Sequence, residues 1–235
     1  MNRQVVIDCF PESAARYRGR YAIIVVDVIR FTTTATTALS LGRRVFPVQT
    51  TDEAFEVAAS LQEPLLAGEL GGNMPYGFHL TNSPAQIAAR KDIHRPVILV
   101  SSSGSQLLLN AKGSEAVYAA CFRNFSAVAR HVIDKHEKVA VLGAGARGEF
   151  RREDQMGCAW VAEKLSESGF TPENSETRAA ISRWSGASPL EAGGGRSADY
   201  LKQTGQEEDL EFILKHIDDL TLVPSLIQRE LVPIQ

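Results

Sequence analysis

Cysteine and histidine are scarce in this chain, with three of one and five of the other in 235 residues. Cys9, Cys121 and Cys158 stand far apart and are odd in number, which excludes a disulfide framework and a CxxC metal knuckle. They are expected in the core, and Cys158, in MGCAWVAEKL, holds an apolar helix position. His131 and His136 are five apart rather than four, so they do not share a helix face as paired zinc ligands would. Long apolar runs are missing as well. Nothing reaches the roughly 18 residues of a membrane span, and the opening MNRQVVIDCF breaks its apolar run at Asp8. No membrane partner is expected, and the cytoplasm is the expected location. Positive charge is not in excess, with 25 Lys and Arg against 28 Asp and Glu, so no nucleic-acid partner is expected either. Neither a low-complexity linker nor a repeat of fixed period divides the chain, and residues 1–235 are expected to form a single domain. A homodimer is compatible with such a unit.

What the chain does contain is a regular alternation. Apolar runs rich in β-branched residues recur as QVVIDCF, YAIIVVDV, RRVFPV, PLLAGEL, RPVILVSS, AVYAACF and KVAVLGAG. Between them lie amphipathic stretches such as TTATTALSLG, TDEAFEVAASLQ, SPAQIAARK, GSQLLLNAKG and NFSAVARHVIDKH, several opening on Thr, Ser or Asn caps. This pattern predicts an α/β fold, a mostly parallel central sheet with helices on both faces. After KVAVL a long helix is expected in EDQMGCAWVAEKLSES, followed over 171–217 by a helical section with a flexible turn at Gly193, Gly194 and Gly195. The ending DDLTLVPSLIQRELVPI predicts a short strand at the sheet edge, where its prolines are best tolerated.

Four segments carry candidate chemistry. In residues 21–48, YAIIVVDVIRFTTTATTALSLGRRVFPV, a strand ends at Asp27 and is followed by Arg30, Thr32, Thr33 and Thr34. Ligands of open α/β sheets bind outside the carboxyl ends of strands, so these groups point to an oxyanion, with or without a cation. Asp27 and Thr32 would equally serve as helix caps. In residues 65–84, LLAGELGGNMPYGFHLTNSP, Glu69 ends a strand, Gly71, Gly72 and Gly77 permit close backbone approach, and Asn82 and Ser83 precede a helix. In VILVSSSGSQLLLN a strand runs into Ser101, Ser102, Ser103, Gly104 and Ser105 before a helix, a turn suited to a phosphate or carboxylate and also to capping alone. Finally, Gly143, Gly145 and Gly148 have GxGxxG spacing, which raises a nucleotide-dependent oxidoreductase as an alternative. That fingerprint needs an acidic residue at the end of a second strand, and Glu163 and Glu167 fall within a helix instead. A different reading gives Arg147 an anion and places Glu153 and Asp154 at a helix start. Three carboxylates, Asp27, Glu69 and Asp154, gathered with hydroxyls and without a histidine cluster suit Mg²⁺ better than zinc, and such an ion could bridge a phosphate and activate water.

VDVIRFTTTATTAL, AGELGGNMPYGFHLTNSP, VSSSGSQLL, GAGARGEFRREDQMGCAW and the late EEDLEF with LVP together resemble the 2-phosphosulfolactate phosphatase family, the ComB-like proteins. The resemblance spans nearly the whole chain. It implies the family's own α/β fold and a Mg²⁺-dependent phosphatase that releases phosphate from 2-phosphosulfolactate, a small anionic phosphoester on the way to coenzyme M in methanogens. On that reading Asp27, Glu69 and Asp154 are the catalytic and metal-binding groups. Arg30, Thr32, Thr33, Asn82, Ser103, Gly104 and Arg147 hold phosphate, carboxylate or sulfonate. The chain departs from the family pattern where Leu70 replaces an arginine, His79 replaces an acidic residue, and Thr81 and Ser102 to Ser105 alter two turns. A lost arginine facing the cleft would weaken use of that substrate, and a catalytically lapsed anion-binding protein is the corresponding alternative.

Overall fold

The computed structural model describes residues 3–234. Ten strands form one sheet: β1 (Gln4–Cys9), β2 (Ala22–Val26), β3 (Val45–Val48), β4 (Leu65–Gly68), β5 (Val97–Val100), β6 (Ala116–Ala120), β7 (Lys138–Gly143), β8 (Thr171–Pro172), β9 (Val223–Ile227) and β10 (Glu230–Ile234). Their order is β4-β5-β3-β10-β9-β6-β2-β7-β1-β8. The groups β4-β5-β3 and β6-β2-β7-β1-β8 are each parallel.

The expected edge strand is corrected here. The C-terminal segment forms a hairpin, β9 with β10, that sits in the middle of the sheet and joins its two parallel groups by antiparallel pairing. Pro224 and Pro233 face each other across the hairpin. They are tolerated because the hairpin is pinned to its neighbours by sparse pairing, Leu231 with Val45 on one side and Ser225 with Tyr118 on the other. The three antiparallel steps reverse the strand sense between the groups. Even so, Gly104, just past β5, packs directly against Asp27 at the end of β2.

Alternation along the strands explains the layers. Val5, Ile7, Ala22, Ile24 and Val26 enter one apolar cluster, while Val6, Ile23 and Val25 enter another. Strands buried on both faces need continuous apolar runs, which is why QVVI and AIIVV carry no polar partner face. The first cluster is closed by α6 (Phe125–Ile133), α7 (Arg152–Glu167) and α8 (Ser175–Trp184), with Trp160 and Trp184 at its centre. The second is closed by α2 (Phe31–Ser40), α4 (Pro84–Ala89) and α5 (Gly104–Asn110), and takes residues from both parallel groups. The short α1 (Ala14–Tyr17) lies beside α5, and α3 (Thr51–Ala58) covers the outer face of β3, β4 and β5. The section after α8 winds through α9 (Arg196–Gln203) and α10 (Glu207–Lys215), packed on one another through Ala198, Leu201 and Leu210. Gly193 and Gly194 end a 3-10 turn, Pro189–Gly194, rather than forming a free loop. Among the described residues no helix is long and apolar enough to cross a membrane.

Candidate active site

Asp27, Glu69 and Asp154, drawn from the ends of β2 and β4 and the start of α7, line one cleft of about 520 Å³. Arg30, Asn82, Ser103 and Arg147 line it too. The shared site expected from the strand ends is therefore present as geometry.

Asp27 is the buried centre, 6% exposed. Burial and then the charge of Glu69 push its carboxyl up from 3.8 to about 7, against the lowering influence of the Phe31 backbone N–H and of Arg30. Gly104 makes room for it, because a Cβ there would overlap Asp27 Oδ2 and Phe31. Asp154 also sits in the core. Its Oδ1 accepts from the Val28 N–H at 2.9 Å and its Oδ2 from the Gly145 N–H at 3.2 Å, tying the ends of β2 and β7 together. Burial, Asp27 and Glu153 hold its carboxyl well above the usual range.

Glu69 is bound differently. Its two oxygens accept from the Gly72 N–H (2.8 Å), Ser101 Oγ (3.1 Å), Ser102 N–H (2.8 Å) and Ser102 Oγ (3.0 Å). Four donors occupy the lone-pair sites of one carboxylate. Glu69 thus clamps the loop after β4 to the serine turn after β5 and contributes charge from there.

The structure moves several expected anion-holding groups away from that task. Thr32 and Thr33 do not line the cleft. Thr32 Oγ1 donates to the Asp27 carbonyl at 2.7 Å and accepts from the Asp27 N–H at 3.0 Å, and Thr33 Oγ1 donates to the Val28 carbonyl at 2.7 Å. They brace the turn that presents Asp27, since buried hydroxyls must find partners. Gly104 acts by its missing side chain, as above. Arg30 lies on the cleft wall but is buried and paired, its Nη1 with Asp209 Oδ2 at 2.5 Å and with Gln206 Oε1 at 2.6 Å. Asp209 also accepts from Ser83 Oγ at 2.6 Å, so this ion pair anchors α10 to the α2 and α4 starts.

Asn82, Ser103 and Arg147 remain available to a ligand. Asn82 is 1% exposed and its Oδ1 has no hydrogen-bond partner, an orphaned polar atom on the wall of a cleft. Ser103 precedes α5 without a side-chain cap bond. Arg147 is exposed and holds a left-handed backbone, φ 52°.

Leu70 and His79 both lie outside the cleft. Leu70 is 38% exposed at a bridge with Asn73, so the assumption that residue 70 faces the substrate is corrected. His79 Nδ1 accepts from the Leu66 N–H at 3.0 Å, and its ring borders a separate hollow with Phe55 and Arg95. The dinucleotide reading loses its basis as well. Gly143 and Gly145 yield space to the rings of Phe150 and Phe10, and α7 starts only at Arg152. The sequence reading missed Arg151, Arg196 and Tyr200, which complete the wall. Tyr200 donates to the Gly72 carbonyl at 2.6 Å, clasping α9 to the Glu69 loop. Arg151 stands within the GARGEFRRED stretch already singled out, whereas nothing in the periodicity of α9 marks a cleft wall.

Buried carboxylates, an unpartnered amide oxygen and an exposed guanidinium line one small cleft of this α/β fold. The chain belongs to the 2-phosphosulfolactate phosphatase family: the family model described as 2-phosphosulpholactate phosphatase matches residues 9–229. It is 29% identical over 231 residues to a protein of Symbiobacterium thermophilum, covering 93% of this chain and 96% of that one. It is 31% identical over 216 residues to one of Deinococcus radiodurans, covering 89% of each. A protein of Caldanaerobacter subterraneus is 29% identical over 213 residues, with 87% of each covered. All three carry the name "Probable 2-phosphosulfolactate phosphatase".

Proposed function

We propose that this protein is a Mg²⁺-dependent phosphomonoesterase that hydrolyses 2-phosphosulfolactate to sulfolactate and phosphate. The observation that carries the reading is the buried Asp27 carboxylate, in one cleft with Asp154, the orphaned Asn82 Oδ1 and the exposed Arg147. The substrate follows from the family and the names of the relatives.

The donor set fits Mg²⁺. Every candidate ligand is a hard oxygen. Burial first, then neighbouring negative charge (Glu69 for Asp27, Asp27 for Asp154), raises both carboxyls, and a bound dication would offset that charge. Among the described residues no three His, Cys, Asp or Glu side chains form a ready-made cage. Mg²⁺ is usually held by one or two carboxylates together with water and substrate phosphate. Asp27 would hold it, with Asp154 offering its remaining lone pairs, while Glu69 contributes charge. When bound, Mg²⁺ would neutralise phosphate charge and polarise the phosphoryl group. Ser103 orients the phosphate through its hydroxyl, the unpartnered Asn82 Oδ1 is an acceptor suited to the cation rather than to the phosphate, and Arg147 draws the anion into the cleft. A cysteine route has no support: burial, then Asp8, raises the Cys9 thiol to about 11, and burial holds Cys158 well above its usual range.

The test is phosphate release by the purified protein from 2-phosphosulfolactate, with Mg²⁺ and after chelation. Release that stops on chelation and returns with Mg²⁺ supports the reading. No release at any Mg²⁺ concentration, or release untouched by chelation, overturns it.

A further inference from the structure

The wall opposite the serine turn carries more positive charge than the phosphate reading uses. Ala146 and Glu149 pair as a tight turn, with backbone bonds of 3.0 and 3.1 Å, and both residues at its tip have positive φ, 52° for Arg147 and 71° for Gly148. Turns of this kind favour Asn, Asp and Gly at both central positions. An arginine held in the first of them is a strained placement of the sort that marks a functional position, and here it lines the cleft.

A second observation is independent of the backbone. Arg151 and Arg196 both line the cleft and both donate to a single oxygen, Glu149 Oε2, at 2.8 and 3.0 Å. Two guanidinium groups share one carboxylate, and Arg147 enters no ion pair among the described residues. Arg151 is 9% exposed, and its buried Nε has no partner. The Nε atoms of Arg43 and Arg152, outside the cleft, are likewise unpartnered, so the weight falls on the shared Glu149 oxygen, which engages only one Nη of each arginine and leaves their other donors for an incoming anion. The charges that bear most on Asp27 are Glu69, Glu153 and Arg30, none of them from this cluster.

We infer that Arg147, Arg151 and Arg196 form a second anion subsite that receives the sulfonate at the non-reacting end of the substrate, with Glu149 occupying Arg151 and Arg196 until the sulfonate displaces it. The inference rests on the proposed substrate. Three arginines match a three-oxygen anion with fork-shaped donors, and a resident carboxylate keeps them preorganised.

The test is binding of sulfolactate, which has the sulfonate but no phosphate, by calorimetry with Mg²⁺ present. Arg196→Gln and Arg147→Ala should each weaken binding roughly ten- to a hundredfold, the loss of one charge-assisted contact. Glu149→Gln should tighten it, because the competing carboxylate is gone. Lactate, which lacks the sulfonate, should bind the wild type and Arg196→Gln alike. Unchanged binding in the arginine variants overturns the subsite. So does weakening by Glu149→Gln equal to theirs, equal loss for lactate, or no sulfolactate binding by the wild type. A wild type that binds sulfolactate through these arginines yet releases no phosphate would sink the phosphatase reading and leave the subsite standing.

Discussion

Gly104 opens α5 where a methyl group would overlap Asp27 Oδ2 and the Phe31 side chain. Phe31 is fully buried and Asp27 is 6% exposed, so neither neighbour can swing into solvent. In Gly104→Ala, helix propensity favours alanine by about 1 kcal/mol, while overpacking a buried contact costs about 1–3 kcal/mol. The net destabilisation is therefore at most about 2 kcal/mol, a fall in Tm of no more than roughly 8 °C for a chain of this size. Activity should suffer more than stability. The methyl group displaces the carboxylate on which the site is centred, and a misplacement of about 1 Å costs roughly a hundredfold in rate. Thermal unfolding followed by circular dichroism gives the first quantity, and kcat/KM for phosphate release at saturating Mg²⁺ gives the second. A Gly104→Ala protein with wild-type kcat/KM would refute the claim that the placement of Asp27 limits the reaction.

Asp209→Ala strips the buried Arg30 guanidinium of its carboxylate and Ser83 of its acceptor, and should cost about 3–5 kcal/mol in urea unfolding. A loss within 1 kcal/mol of zero would mean that Arg30 finds water or another partner. Leu70→Arg, exposed and outside the cleft, should leave stability within about 0.5 kcal/mol and kcat/KM on 2-phosphosulfolactate unchanged. A clear gain in kcat/KM would put residue 70 back at the substrate. The Asp27 carboxyl binds its proton more tightly folded than unfolded, about 7 against 3.8, so stability is greatest below the lower value and declines as pH rises through the higher one. The metal-free protein should lose Tm steadily between these limits, and Asp27→Asn should flatten the decline. A Tm of the metal-free wild type that rises over this window would contradict the assigned shift.

The layers and the strand ends were legible because buried parallel strands demand continuous apolar runs, and each ended in a residue of a different chemical type: Asp27, Glu69 or the serine turn. What those ends do was less legible. Thr32 and Thr33 have the composition of an anion site, yet buried hydroxyls next to free carbonyls take the nearest acceptors. Arg30 reads as an anion holder until α10 delivers Asp209, distant in sequence, to its guanidinium. The C-terminal hairpin was misplaced because two prolines argue against a central strand. The sparse pairing that excuses them, through Leu231 and Ser225, depends on tertiary neighbours. Tyr200 and Arg196 reach the cleft only through the packing of α9, for which residues 171–217 gave no local signal. Leu70 shows the converse, a departure in a strong motif that suggested lost specificity but lies at the surface.

Turnover of 2-phosphosulfolactate by the wild type and by Asp27→Asn, assayed side by side across a Mg²⁺ titration with folding checked by circular dichroism, bears most directly on the central claim. The amide keeps the shape of the side chain and removes the charge proposed to hold the metal. The account predicts Mg²⁺-dependent phosphate release by the wild type and a loss of about a hundredfold or more in the folded Asn variant. Near wild-type release by Asp27→Asn, with the same Mg²⁺ requirement, would contradict it.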